Sequence, residues 1–117
     1  MGTKEETTQQ NYQVKLSLNA LKNIDEITGY ISFIKHQPLN AIKVGDKIFE
    51  TFDHIEKNPL AYKECEALQT KHKLYRQAVC SSWIIIFKLK KSEIIILGII
   101  HSSRKPSRIK ALRKTKN

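Results

Sequence analysis

Cysteine is scarce in this chain, and its scarcity limits the kinds of domain that the 117 residues can form. The two cysteines, Cys65 and Cys80, are too few for a disulfide framework. Cys65 and His72 are the only cysteine–histidine pair near a metal-ligand spacing, and a single pair does not make a site. We therefore expect no metal, no cofactor and a reducing, cytoplasmic location.

Long apolar runs are also missing. The longest, WIIIF (83–87) and IIILGII (94–100), fall far below the roughly 20 residues that a membrane-spanning helix needs. Residues 1–11 are polar and contain no hydrophobic segment of the kind found in secretory signals. We expect a soluble protein with no membrane contact and a disordered leader at 1–11.

Acidic residues are missing from the C-terminal end, although the chain has 11 of them elsewhere. The formal net charge is +10, and residues 101–117 hold seven lysines and arginines with no aspartate or glutamate. A positive field at one end predicts an acidic partner, which could be nucleic acid, an anionic membrane or an acidic protein segment. A solubilising basic tail is the alternative interpretation.

The first half of the chain predicts a strand and two helices. YQVKLS (12–17) alternates apolar and polar residues as a half-buried strand does, and Ser17 is suited to cap a helix. The first helix has an apolar stripe at steps of three and four: Leu21, Ile24, Ile27, Ile31 and Ile34. The second begins at Pro38, ends at Asn58 and has the stripe Ala41, Ile48, Phe52 and Ile55. The short loop between them predicts an antiparallel hairpin.

The second half predicts strands. After an irregular connection at 63–73 come three runs rich in β-branched and aromatic residues, at 74–80, 83–90 and 93–100. The polar breaks between the runs are two residues long, which favours an antiparallel meander. The expected fold is therefore α+β, in the order β-α-α-β-β-β, with the helical hairpin on one face of a curved antiparallel sheet. The residues after Pro106 could add a short C-terminal helix.

The ordered set of motifs resembles one toxin superfamily. The motifs are YQVKLSLNALKNIDEITGYI (12–31), HIEKNPLAYKE (54–64) and LYRQAVCSSWIIIFKLKKSEIIILGIIHSSRKPSRI (74–109). They resemble the RelE/ParE toxins of bacterial type II toxin–antitoxin modules, whose members inhibit growth and stabilise plasmids. The resemblance implies one toxin domain at 12–109, followed by a basic tail at 110–117. It also implies a small, acidic, partly disordered antitoxin that silences the toxin in a hetero-oligomer.

The superfamily contains two activities, and the residues favour one of them. ParE-like members resemble inhibitors of DNA gyrase, whereas RelE-like members are ribosome-dependent mRNA endonucleases. RNA cleavage needs a base, an acid and cations on the phosphate. Ala78 and Ile84 stand where a RelE-like pattern has basic residues, and Ser102 follows His101 where it has tyrosine. We therefore expect a gyrase inhibitor rather than an enzyme; the alternatives are the endonuclease and a basic nucleic-acid-binding protein without toxin activity.

The resemblance and the charge pattern together indicate candidate site residues. The residues expected to bind the target are Arg76, His101, Arg104, Lys105 and Arg108, of which Arg76, His101 and Arg104 would form the catalytic set of a nuclease. Those expected to bind the antitoxin are Ile24, Ile31, Phe49 and Tyr75. We expect Arg76 to lie beside the C-terminal cations on the concave face of the sheet. His101 could instead only hydrogen-bond locally, and Tyr75 and Trp83 are expected to pack rather than to stack on bases.

Overall fold

The computed structural model describes residues 11–104 and 106–115. Residues 1–10, which make up most of the predicted leader, Lys105 and residues 116–117 lie outside the described residues. In chain order the elements are β1 (Gln13–Leu16), α1 (Leu18–Gly29), α2 (Pro38–Lys57), β2 (Tyr75–Cys80), β3 (Trp83–Lys90), β4 (Glu93–His101) and α3 (Pro106–Lys110). No helix in the described part is long and apolar enough to span a membrane.

The four strands form one sheet in the order β1-β4-β3-β2. Strands β2, β3 and β4 make the antiparallel meander that the two-residue breaks predicted, and Ser81 and Lys91 open the two loops with positive φ values of 55° and 58°. Strand β1 adds to the far side of β4 in parallel, with Gln13 opposite Glu93 and Leu16 opposite Ile96. The predicted α+β fold is confirmed, and one strand pair of the sheet is parallel.

Ser17 joins the first helix to the sheet. Its hydroxyl oxygen accepts a hydrogen bond from the Ala20 amide at 3.0 Å, which confirms the predicted cap. The same hydroxyl donates to the Leu97 carbonyl of β4 at 3.1 Å. Ser17 is fully buried, so both bonds form away from water and hold the start of α1 on the sheet.

The sheet is covered on both faces. One face packs on the helical hairpin through Ile24, Ile27, Ile48, Phe52 and Ile55. The other packs on a smaller cluster that includes Leu68 and Leu112. This double burial explains why β3 and β4 are almost continuously apolar rather than alternating.

The predicted apolar stripes are confirmed along α2 but fail at the two ends of α1. All four stripe residues of α2 are buried. In α1, Leu21 is exposed and Ala20 fills the neighbouring buried position. After Gly29 the helix widens into a π-helical turn (Tyr30–Ile34), in which the Lys35 amide donates to the Tyr30 carbonyl five residues earlier at 3.0 Å. The extra residue in that turn rotates Ile34 out to solvent.

A β-bulge marks the middle of β4. Ile86 pairs with Gly98 and Phe87 with Ile96, so Leu97 is an extra residue. Side chains of α1 bond to the bulge: Asn19 Nδ2 donates to the Leu97 carbonyl at 3.0 Å, and the Ile99 amide donates to Asn23 Oδ1 at 2.9 Å. The bulge therefore fixes α1 against β4 through polar contacts as well as apolar packing.

The C-terminal segment folds back onto the face of the sheet that the hairpin leaves free. Helix α3 continues into a single turn, Ala111–Lys114, in which Leu112 is only 7% exposed. Residues 110–115 of the expected basic tail are therefore packed against the domain rather than extended from it.

Candidate functional site

The residues at the C-terminal end of β4 line a cavity of about 340 Å³, which we call the β4-end notch. The register of the β3–β4 hairpin sets Trp83 opposite His101 on its floor. Helix α1 forms one wall and the segment after β4 forms the other. The lining residues are Asn23, Glu26, Ile27, Tyr30, Trp83, Ile99, His101, Ser103, Arg104 and Arg108.

His101 is held by two neighbours. Its ring stands edge-to-face on Trp83, with 5.0 Å between centroids and an angle of 88° between the planes. The Ser103 amide donates to Nδ1 at 3.2 Å, and Ser103 Oγ lies 2.8 Å from the same nitrogen. A nitrogen that accepts a backbone amide carries no proton, so we assign the proton of the neutral ring to Nε2. His101 is therefore oriented, with one ring nitrogen left as a donor.

Arg104 and Arg108 supply the positive charge of the notch. Both side chains are exposed, and in the described part of the chain the single ion pair is Lys15–Glu93, so neither arginine is paired with a carboxylate. Glu26 on α1 is the acidic group of the lining. The predicted residues His101, Arg104 and Arg108 are thus brought together, whereas Lys105 lies outside the described residues.

Arg76 does not join them, and the expectation that it lies beside the C-terminal cations is wrong. It pairs with Phe87, four residues along β3 from Trp83, which is about 13 Å in an extended strand. Its Nη1 donates to the Tyr62 carbonyl at 2.8 Å and to the Leu60 carbonyl at 3.4 Å. The alternation of side chains along a strand correctly predicted that Arg76 and Tyr75 point to opposite faces of the sheet. The sequence did not show that carbonyl groups of the loop after α2 would bind the Arg76 guanidinium.

Tyr75 lies on the other face, under two cations. Lys88 Nζ is 5.6 Å and Arg113 Cζ 5.7 Å from the centre of its ring, within the range of cation–π contacts. Tyr75 and Ile24 were both expected to bind the antitoxin, and both are buried. Both therefore offer little surface to a partner while the domain keeps this conformation.

A second concave surface lies between α1 and α2, and we call it the hairpin groove. Its volume is about 680 Å³, and Phe49 from the expected antitoxin set lines it. Phe33 and Ile42 also line it and are 77% and 59% exposed. Both are bulky apolar residues that do not belong to the predicted buried stripes. Apolar residues outside a buried stripe indicate an exposed apolar surface, so the sequence contained a signal for the groove. Of the described residues, those that line the groove include Asp25 and Asp46 but no lysine or arginine.

The two thiols are not part of either surface. Cys65 and Cys80 are free and buried, and burial raises the pKa of the Cys65 thiol. His72 is exposed while Cys65 is not. Among residues 11–104 and 106–115, no group of three or more histidine, cysteine, aspartate or glutamate side chains could hold a metal ion.

One family model matches the chain, and solved structures of two toxin–antitoxin systems share its fold. Residues 14–106 match a family described as "ParE toxin of type II toxin-antitoxin system, parDE". The fold is similar to that of a chain of a chromosomal ParDE toxin–antitoxin system from P. aeruginosa, with a TM-score of 0.62, 20% identity, and coverage of 78% of this chain and 96% of that one. It is also similar to a chain of a RelBE toxin–antitoxin complex from Mycobacterium tuberculosis, with a TM-score of 0.53, 14% identity, and coverage of 78% and 98%. No curated protein sequence matches the chain.

Proposed function

Because the chain belongs to the ParE toxin family of type II toxin–antitoxin systems, we propose that it arrests growth by binding DNA gyrase in the cytoplasm through the exposed cations of the β4-end notch. The observation that supports binding rather than chemistry is the position of Arg76. Its guanidinium is held by carbonyls of the loop after α2, so the nuclease set Arg76, His101 and Arg104 is not assembled in one place. Among the described residues Arg104 and Arg108 pair with no carboxylate, which leaves them available to hold acidic groups of a target.

A supercoiling assay tests this proposal. The purified protein should block supercoiling by gyrase, and Arg104→Gln/Arg108→Gln should weaken the block by about tenfold or more, because two unpaired, exposed guanidinium groups are lost. The matched control is Lys43→Gln/Lys47→Gln, which removes the same charge from the exposed face of α2. Full supercoiling in the presence of the folded wild-type protein would refute the proposal.

One observation favours ribosome-dependent RNA cleavage as a second candidate. Glu26, His101, Arg104 and Arg108 line the same notch. A carboxylate and an imidazole can serve as the base and the acid of RNA cleavage, and two arginines can stabilise the charge on the phosphate. His101→Gln would then cost on the order of a hundredfold in mRNA cleavage on a translating ribosome. If the protein inhibits gyrase and does not cleave RNA, the wild type and this variant should both leave mRNA intact, and the two should inhibit supercoiling to a similar extent.

We propose that the hairpin groove is where a cognate antitoxin binds. Phe33, Ile42 and Phe49 are bulky apolar side chains exposed along one groove, and they could receive the apolar side of an amphipathic helix. Asp25 and Asp46 line the same surface, so the bound helix should carry a lysine or arginine near its apolar side.

Growth assays test the groove directly. Phe33→Glu/Ile42→Glu should remain toxic but escape rescue by a co-expressed antitoxin that neutralises the wild type, because the apolar surface is lost without any change in the notch. The control is Leu18→Glu, at an exposed apolar residue outside the groove. Rescue of the groove variant to the level of the control would contradict this binding site.

A further inference from the structure

The fold brings three rings from distant segments into the β4-end notch. Tyr30 comes from the π-helical turn after α1, Trp83 from the start of β3 and His101 from the end of β4. Tyr30 is 53% exposed, and the other two rings are half-buried. The sequence suggested packing for Trp83, because a lone aromatic residue in a strand seldom binds bases; three rings around one cavity are a different arrangement.

Unpaired cations border the same cavity. Arg104 and Arg108 line it, are exposed, and make no ion pair in the described part of the chain. The volume, about 340 Å³, is within the range of sites that hold small organic ligands, about 300–1,000 Å³. Aromatic faces together with arginines are the combination with which proteins hold unpaired nucleotides, through base stacking and contacts to phosphate.

We propose that the β4-end notch binds one nucleotide of a single-stranded nucleic acid, with the base against the rings and the phosphate on Arg104 and Arg108. The inference deepens the proposed function and rests on it, since gyrase acts on DNA and a protein bound to it can reach a strand. A duplex is excluded as the ligand because its bases are already stacked and paired, so none of them is available to enter the notch. Glu26 also lines the notch, and its negative charge would repel a phosphate placed next to it. Its carboxylate would instead accept a hydrogen bond from an amino group of the base.

Trp83 is the only tryptophan of the chain, so tryptophan fluorescence reports on its surroundings. It lines the notch and also a smaller cavity beside Lys43 and Lys47, so the notch variants below assign the signal to the notch. The experiment titrates the full-length protein with 12-nucleotide oligo(dT) and oligo(rU), and with a 12-base-pair duplex, at two salt concentrations. We expect saturable quenching by single strands and affinity at least tenfold weaker for the duplex. Tighter binding of oligo(dT) identifies the strand as DNA, and tighter binding of oligo(rU) identifies it as RNA.

Variants separate stacking from plain charge attraction. Arg104→Gln/Arg108→Gln should weaken single-strand binding at least tenfold and make it less salt-dependent, and Tyr30→Ala should weaken it at least fivefold while Tyr30→Phe restores it. The control Lys57→Gln/Lys71→Gln, at two exposed lysines that line neither of the cavities beside Trp83, should change the affinity by less than threefold. Thermal melting confirms that each variant is folded.

Two results would overturn the inference. One is an unchanged Trp83 signal at millimolar oligonucleotide; the other is equal affinity for single strand and duplex with no effect of Tyr30→Ala, which would indicate attraction to charge alone. The supercoiling assay keeps the two proposals apart. If the protein blocks supercoiling but binds no oligonucleotide, only the nucleotide site is refuted. If it binds oligonucleotide but does not block supercoiling, the gyrase proposal is refuted and the nucleotide site is supported.

Discussion

Adding one methyl group should destabilise the protein at Gly98 and stabilise it at Gly29. A Cβ at Gly98 would lie 2.9 Å from Leu112 Cδ2, 3.0 Å from Asn19 Nδ2 and 3.1 Å from Asn23 Oδ1. At Gly29, which has helical angles of −64° and −42°, it would meet nothing within 4 Å. The two glycines therefore differ in their surroundings and not in the chemistry of the substitution.

The magnitude at Gly98 follows from those contacts. Overpacking of a well-filled site costs about 1–3 kcal/mol, and the two asparagines cannot move freely because each is bonded to the bulge of β4. With an unfolding entropy near 2.1 cal/mol/K per residue, this corresponds to a fall in Tm of about 4–12 °C for a chain of 117 residues. Gly29→Ala removes the entropic penalty of glycine in a helix, about 0.5–1 kcal/mol, and should raise Tm by about 2–4 °C.

Calorimetry and urea unfolding of the wild type and both variants measure the effect. The two variants should shift Tm in opposite directions. Gly98→Ala as stable as the wild type would mean that Leu112 and the asparagines yield freely and that the bulge does not fix α1 to β4. If both variants shift in the same direction, the contacts around the two glycines do not decide their effect.

Three further predictions concern single side chains. Arg76→Met should lower the free energy of unfolding by about 1.5–3 kcal/mol, since two carbonyls lose a charged donor, while supercoiling inhibition per folded molecule stays unchanged; lost inhibition in a stably folded variant would contradict the structural role. The hydrogen bond and charge of Lys15 lower the pKa of Glu93, so its stabilisation is present above the unfolded pKa near 4.3 and is lost as pH falls through the folded value. The Tm difference between wild type and Glu93→Gln should therefore shrink as pH falls from 7 through the lowered pKa, and a difference that stays constant over the whole acid range would refute the assignment. Iodoacetamide should label Cys65 and Cys80 far more slowly in the native protein than in urea, because both are buried; equal rates would show that the core opens readily.

The order of the elements could be read from the sequence because each has a local signal. Two-residue breaks indicated the meander, and Ser17 and Pro38 indicated where the helices begin. The pairing of β1 could not be read, because a strand carries no mark of its partner across a long crossover. The exposed end of α1 was also missed, since the π-helical turn changes the rotation on which a helical stripe depends.

The candidate site divides in the same way. His101, Arg104 and Arg108 are close in sequence, so their meeting was predictable from the charge pattern. Tyr30 and Glu26 reach the notch only because α1 packs across the end of β4, which is a tertiary contact. Arg76 was misplaced for the same reason: what surrounds a strand residue depends on the loop that covers the edge of the sheet, and that loop has little periodicity of its own.

The parallel pairing of β1 with β4 has a consequence for the order of synthesis. Gln13 emerges first but pairs with Glu93, 80 residues later, so at about 5–20 residues per second it waits roughly 4–16 s for its partner. Until then β4, which lies between β1 and β3 in the sheet, is missing. The apolar side of the helical hairpin therefore has only part of the sheet to pack against. A chain that ends before β4 should therefore be unable to complete this fold, because the strand that links β1 to the meander has not been made.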